Sequence, residues 1–346
     1  MVRVGILGAT GYAGIETVRI LSAHPKAEIT RVVSKTFEGQ KISDIYENLK
    51  GICDLVCCGL DTEDIAKNCD VVFTALPHGA SKEVIPALYE KGLKIIDLSG
   101  DFRYRDVSVY EKWYGQKHSD PELLKKSVYG LCELHRDEIP SHRLVGNPGC
   151  YTTCSILGLY PLLASGAADT KNIIIDAKSG VTGAGRGLAL QNMFCECTES
   201  MKAYKVAVHR HTSEIEQELS LAAGEDIMVS FTPHLAPMKR GIFATCYANL
   251  KKQMTTEELV DIYKEFYKNE RFVRVYDAGK LPEIKHVAGS NYAAIGAVAD
   301  TRLNRAVIIS CIDNLVKGAA GQAVQNMNLI CGFDEAEGLC GAGYYL

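Results

Sequence analysis

Val2-Arg3-Val4-Gly5-Ile6-Leu7, running into Gly8-Ala9-Thr10-Gly11-Tyr12-Ala13-Gly14, is the stretch that decides the fold. The first six residues read as a buried strand, and Ile15 to Ser22 read as an amphipathic helix. Strand, glycine turn and helix in that order are the context a dinucleotide fingerprint requires. Gly8 and Gly11 let backbone approach a pyrophosphate, which then rests on the helix N-terminus. The spacing is GxxGxxG in place of GxGxxG, so a tight turn without a ligand is the competing reading.

The second strand selects the nucleotide. An NAD site needs an acid about 20 residues on, to hold the ribose 2′-hydroxyl. Here Ile29-Thr30-Arg31-Val32-Val33 ends in Ser34-Lys35-Thr36. A hydroxyl and an ammonium suit a 2′-phosphate, which predicts NADP(H) as the cofactor.

Working outward, short apolar strands alternate with helical stretches through the first 150 residues. Asp70 to Leu76 is a strand followed by Pro77-His78-Gly79; Ser81 to Lys91 is helical; Leu93 to Ile96 is a strand ending in Asp97-Leu98-Ser99-Gly100-Asp101-Phe102-Arg103. This alternation predicts an α/β fold with a doubly wound parallel sheet, whose ligands gather at the carboxyl ends of the strands. The pattern changes after Cys150. Residues 172–178, Ile227 to Pro233, Gly241 to Leu250, Val273 to Tyr276, Ala293 to Ala299 and Ala306 to Ile312 read as strands with few helices between them. That predicts an α+β domain with a mixed or antiparallel sheet over 150–312, whose broad face pairs subunits. A helix over Leu315 to Ile330 is expected to return to the first domain, which then comprises 1–149 and 313–346.

Gly146-Asn147-Pro148-Gly149-Cys150-Tyr151-Thr152-Thr153 carries the chemistry. It sets a cysteine after an Asn-Pro-Gly turn, at the start of an apolar helix from Thr152 to Leu163. A thiol there lies in the positive field of the helix N-terminus, which favours the thiolate. Backbone N–H groups without helix partners can hold a developing oxyanion. A thiolate nucleophile needs a proton partner, and His209-Arg210-His211-Thr212 supplies it. Thr212 or Ser213 is expected to cap the helix that follows, and Arg210 offers a fork for a substrate carboxylate. Ser179 to Gly187 is a glycine-rich loop after a strand, an anion nest for phosphate or cofactor.

Composition narrows the class. With 346 residues, the chain has room for two cores. A net charge of −4 gives no general attraction to nucleic acid or anionic membrane. The chain has no apolar run long enough for a membrane span and opens directly into a strand, so a cytoplasmic protein is expected. Thirteen scattered cysteines fit a reducing compartment and lack paired zinc-ligand spacing, so no metal is expected.

Taken together, GATGYAG, LPHG, DLSGDFR, GNPGCYTT, SGVTGAGR, HRHTSEIEQEL, PHLAPMKRG and IDNLVKGAAGQAVQN resemble the N-acetyl-gamma-glutamyl-phosphate reductases of arginine biosynthesis. The resemblance implies an N-terminal Rossmann domain and a catalytic domain like that of aspartate-semialdehyde dehydrogenase. It implies that Cys150 is the nucleophile and that a histidine of the His-Arg-His run is the acid/base, His211 first and His209 second. Within the motifs, Gly8, Thr10, Gly11, Tyr12, Ala13, Gly14, Ser34, Lys35, Pro77, Ser179, Gly180 and Asn314 fall to the cofactor. Arg103, Asn147 and Arg210 fall to the substrate, a small-molecule acyl phosphate, and a homodimer or homotetramer is implied. A lysine-pathway aminoadipyl-phosphate reductase, an aspartate-semialdehyde dehydrogenase and a catalytically inactive NADP-binding regulator remain as alternatives.

Overall fold

A computed structural model describes residues 1–345 as two compact units, Met1–Gly149 with Ala319–Gly341 and Cys150–Gly318 with the C-terminal tail. The first unit is built on six parallel strands: β1 (Val2–Leu7), β2 (Ala27–Val33), β3 (Val71–Thr74), β4 (Lys94–Asp97), β5 (Ser127–Tyr129) and β6 (Leu144–Gly146). They lie in the order β2-β1-β3-β4-β6-β5. Strands buried on both faces read as continuous apolar runs, and β3 is buried at every position. The chain leaves β1 for β2 on one side and returns as β3 on the other, so β1 and β3 form the switch point at which such sheets bind ligands.

The second unit holds β7 (Ile173–Gly180), β8 (Lys202–Ala203), β9 (Val229–Ala236), β10 (Ile242–Asn249), β11 (Val273–Val275), β12 (Ala293–Asp300) and β13 (Arg305–Ile312). Their order is β11-β12-β13-β10-β7-β9-β8, a mixed sheet in which β7/β9 and β11/β12 are parallel pairs. Against it lies the Cys150–Ala164 helix, apolar on all sides and buried along nearly its whole length, as a central helix must be. Pro161 cannot donate to the carbonyl of Leu157; the Tyr267 hydroxyl donates to that carbonyl instead at 2.7 Å, and Tyr263 does the same for Gly158. Tyr267 thus replaces the donor that the proline removes, and Tyr263 adds a bond to the next carbonyl.

Three expectations shift. The expected 315–330 helix is broken into a π turn, Val316–Ala320, and an α-helix, Gly321–Ile330. Residues 313–318 group with the second unit, because the Asp313 carboxylate accepts backbone N–H bonds from Gly289, Leu315 and Val316. The tail from Ala342 also groups there, with Tyr344 N–H donating to the Ala288 carbonyl. In the first unit the Gly321–Ile330 helix is rich in buried amides that serve its neighbours. Asn326 Nδ2 donates to the Gly130 carbonyl and to Asn147 Oδ1 at 2.7 and 3.0 Å.

Candidate active site

The nucleotide turn is shaped by what glycine lacks. Gly8 has a φ of 78°, and a Cβ there would run into the Ala75 carbonyl at the tip of β3. At Gly14 a Cβ would run into the Gly8 carbonyl and lie 2.8 Å from Ala9 Cα, which locks the helix onto the turn. Gly11 differs: its φ is −78° and its nearest obstacle is 3.4 Å away, so the fold itself does not demand glycine there. The Tyr12–Leu21 helix that follows has no side-chain cap at Gly11. An uncapped helix start beside an open glycine is a cradle for an anion. Thr10 and Ser34 share a hydroxyl–hydroxyl bond of 2.7 Å, tying the β2 tip to this turn, while Lys35 stands exposed next to them. The Tyr46 hydroxyl braces the turn by donating to the Thr10 carbonyl at 2.7 Å. Ala13 lies in the first turn of the helix, and Pro77 is exposed just beyond β3.

In the second unit, Cys150 is the first residue of its helix and is partly exposed. One turn on, Cys154 is fully buried, bonds Ser310, and burial pushes its thiol up to about 12. The two thiols share a helix and differ in environment: Cys150 is at the helix start and accessible, whereas Cys154 is sealed in the core. Gly318 presses on it from the π turn: a Cβ at Gly318 would lie 2.7 Å from Cys150 Cβ.

The expected base lies at the same helix ends. The second helix runs His211–Ala223, so Thr212 and Ser213 fall inside it and neither is its N-cap residue; Ser213 Oγ donates to the Arg210 carbonyl. The capping is done by a histidine. His211 N–H donates to His209 Nδ1 at 3.1 Å, which fixes the proton of a neutral His209 on Nε2. Burial, with Lys205 and Arg210 adding positive charge, holds His209 down at about 4, so it is neutral at pH 7. The His209 and His211 rings meet edge to face at 4.7 Å, and Tyr151, directly after Cys150, contacts both. Deeper in the unit, Thr152 Oγ1 donates to the fully buried Glu214 carboxylate at 2.9 Å. Thr152 and Glu214 both sit in the first turns of their helices. The first turns of the Cys150 and His211 helices therefore lie side by side.

Other expected residues serve the framework. Arg103 is buried in the first unit and donates to the carbonyls of Asn147 and Leu98 at 2.6 and 2.9 Å. Asn147 is also buried, its Nδ2 donating to Ala319 and its Oδ1 accepting from Asn326. Expected at the substrate, the two fix the turn that leads into Cys150. Asn314, expected at the cofactor, is buried with Oδ1 accepting from Gly241 N–H and Nδ2 donating to Thr182 Oγ1. Ser179 and Gly180 end β7 where the backbone passes so close to Lys239 that a Cβ on Gly180 would lie 2.5 Å from its carbonyl oxygen. The sequence reading missed Gly318 and Glu214; the only signals were a glycine within Lys317-Gly318-Ala319 and an acid in the first turn of a helix. Among the described residues no group of three or more His, Cys, Asp or Glu is arranged to hold a metal ion. No helix of the described residues is long and apolar enough to cross a membrane.

A parallel nucleotide-binding sheet, followed by a mixed-sheet unit that opens on a cysteine, defines a class. Residues 3–142 match the family model of the semialdehyde dehydrogenase NAD-binding domain, and residues 150–314 that of the semialdehyde dehydrogenase dimerisation domain. Within that class the chain belongs to the N-acetyl-gamma-glutamyl-phosphate reductase family. It is 62% identical to the N-acetyl-gamma-glutamyl-phosphate reductase of Acetivibrio thermocellus, over 100% of both chains. It is 52% identical to that of Desulforamulus reducens, again over 100% of both chains. The fold is that of aspartate semialdehyde dehydrogenase II of Vibrio cholerae, a structure complexed with ASA (TM-score 0.72, 15% identity, 96% of this chain and 98% of that one). The Candida albicans aspartate semialdehyde dehydrogenase with NADP is similar to the same degree (TM-score 0.70, 16% identity, 96% and 98% covered).

Proposed function

We propose that the chain reduces N-acetyl-L-glutamyl 5-phosphate to N-acetyl-L-glutamate 5-semialdehyde, releasing phosphate, through a thioester on Cys150. The observation that carries this reading is that the first turn of the helix opened by Cys150 lies against the first turn of the helix opened by His211. The Cys150 thiolate attacks the acyl carbon, a C–S bond forms, and the C–O bond to phosphorus breaks as phosphate leaves. Backbone N–H groups at the start of the Cys150 helix hold the oxyanion. Gly8 to Gly14 with Ser34 and Pro77 would hold a nicotinamide nucleotide, which would supply the hydride that reduces the thioester. His211 gives the proton to the resulting oxygen and takes it back as the thiohemiacetal collapses to aldehyde and thiolate. His209, neutral and committed to the helix start, positions His211. Arg210 draws the anionic substrate to the two histidines. Arg103 and Asn147 position the turn before Cys150, and Asn314 positions the loop over β7 and β10.

NADP(H) is the nucleotide in this reading, since Lys35 stands exposed at the β2 tip and no acid competes for the ribose. The working form is a homo-oligomer, a dimer or tetramer. Leu188, Met193, Phe194, Val206 and Val208 are exposed apolar side chains within one short segment, a patch that suits a second copy. The test is reverse turnover, read as NADPH appearance from NADP, N-acetylglutamate semialdehyde and phosphate. Phosphate-dependent activity that prefers the acetylated aldehyde is expected. Cys150→Ser is expected to lower it by three orders of magnitude or more, about the cost of losing a covalent nucleophile. Activity that survives this substitution overturns the thioester route, and a preference for aspartate semialdehyde moves the substrate.

A further inference from the structure

The mechanism above does not use Asp313, a fully buried carboxylate in the unit that carries Cys150. A buried charge destabilises a fold unless its partners are complete, so what this one holds is informative. Asp313 Oδ1 accepts the N–H groups of Leu315 and Val316 at 2.8 and 3.1 Å. Oδ2 accepts Gly289 N–H at 2.7 Å and lies 3.5 Å from Arg240 Nη1. All four of these partners are N–H groups, so the site is built for a carboxylate and not for an amide.

The backbone of the same residue makes a second contact. Gly318 N–H donates to the Asp313 carbonyl at 2.9 Å, the five-residue reach that makes Val316–Ala320 a π turn. An α-helical bond would reach four residues back, and one residue of register turns the backbone by about 100°. The π register therefore decides which residue of Lys317-Gly318-Ala319 faces Cys150. It is Gly318. A Cβ there would lie 2.7 Å from Cys150 Cβ and 3.1 Å from Cys150 Cα, inside the separation at which carbon atoms pack. Lys317 and Ala319 both carry a Cβ, so neither could take that place.

We infer that Asp313 is a positioning residue for Cys150, acting through Gly318. Its carboxylate and its carbonyl fix the π turn from two sides. The turn sets Gly318 against the Cα and Cβ of Cys150, which holds the thiol in one orientation at the start of its helix. The inference rests on the thioester reading above and deepens it: a nucleophile must meet the acyl carbon within a fraction of an ångström, and its support sets that placement. Asp313 thus acts on the geometry of attack and not on the binding of substrate or nucleotide.

The experiment uses the full chain, two variants and two readouts. Gly318→Ala puts a methyl group on Cys150, and Asp313→Asn keeps the shape but turns an amide NH2 toward Gly289 N–H and Arg240. In reverse turnover both variants are expected to lose about 10- to 100-fold in kcat, the scale of a misplaced reacting group, with KM for phosphate and aldehyde within about threefold of wild type. The second readout needs no substrate: the rate at which iodoacetamide alkylates Cys150, followed by peptide mass. That rate should fall about tenfold in both variants, while the exposed Cys195 and Cys340 react as in wild type. Thermal melting shows that each variant is folded. A folded Gly318→Ala with wild-type kcat and wild-type Cys150 alkylation overturns the inference, and so does a loss confined to KM. If Gly318→Ala does not fold, Asp313→Asn decides by the same two readouts. If the wild-type chain shows no phosphate-dependent turnover while Cys150 alkylation still slows in the variants, the positioning role stands and the acyl-phosphate reading is what fails.

Discussion

Two helix starts in this molecule solve the same problem in opposite ways. At Gly8–Gly14 the backbone is the recognising surface, and glycine is used so that nothing covers it. At Cys150 a side chain is the proposed reacting group, and the glycine that makes room for it, Gly318, is 168 positions away in sequence. The first site is mostly local: turn and helix are contiguous, and the β3 tip alone comes from farther along the chain. The second is assembled from the Cys150 helix, the His211 helix and the Asp313 turn. The difference teaches that a motif written contiguously reports its own geometry, whereas a reactive residue reports only its candidacy until its neighbours are known.

The largest effect that sharpens this contrast concerns the histidines. His211→Asn is expected to lower kcat about 100- to 10,000-fold, the range for losing a general acid/base, and to remove a limb of the pH–rate profile. His209→Asn keeps an acceptor for the His211 N–H and should retain that limb, with kcat within about tenfold of wild type. Equal losses in both variants, with the limb abolished in each, overturn the division of labour.

Next comes a pair of substitutions within one turn. Gly14→Ala puts a methyl group into the Gly8 carbonyl and Ala9, so the unit should lose about 3 kcal/mol of stability, the upper range for overpacking. Gly11→Ala meets nothing closer than 3.4 Å and should fold normally, yet bind NADP about tenfold more weakly because the methyl stands where the ligand approaches. Thermal melting and nucleotide titration read the two. Normal nucleotide affinity in Gly11→Ala breaks the claim that this glycine serves the ligand.

These cases show what was legible in the sequence. The strand–glycine–helix opening, the parallel then mixed sheets and the cysteine helix start all depend on short-range periodicity and turn chemistry, which adjacent residues carry. The break at Val316–Ala320 was not legible, because a π turn is set by Asp313 collecting amides from both sides. Arg103 and Asn147 carry the polar chemistry expected of substrate contacts; their bonds to carbonyls and amides of the framework come from distant segments that the sequence does not bring together. Thr212 looked like a cap since threonine often is one; a histidine two residues before the helix took that place through its ring nitrogen.

The last prediction uses that histidine. His209 is held down at about 4 by burial and nearby positive charge, whereas in the unfolded chain it takes up a proton near its ordinary value of about 6.5. Between those values the unfolded chain binds more protons than the folded one, so stability rises with pH. The contribution is fully present above pH 6.5 and is lost as the pH falls toward 4, reaching about 2 kcal/mol by pH 5. Urea unfolding of wild type and His209→Asn at pH 7 and pH 5 tests it. The wild-type protein should lose about 2 kcal/mol more than the variant across that interval, since the variant has no imidazole to protonate. Parallel losses would mean that His209 titrates in the folded state as it does in water. The histidine start would then be an open, solvated turn, and the nucleotide turn would be the only one of the two whose geometry is fixed by exclusion of side chains.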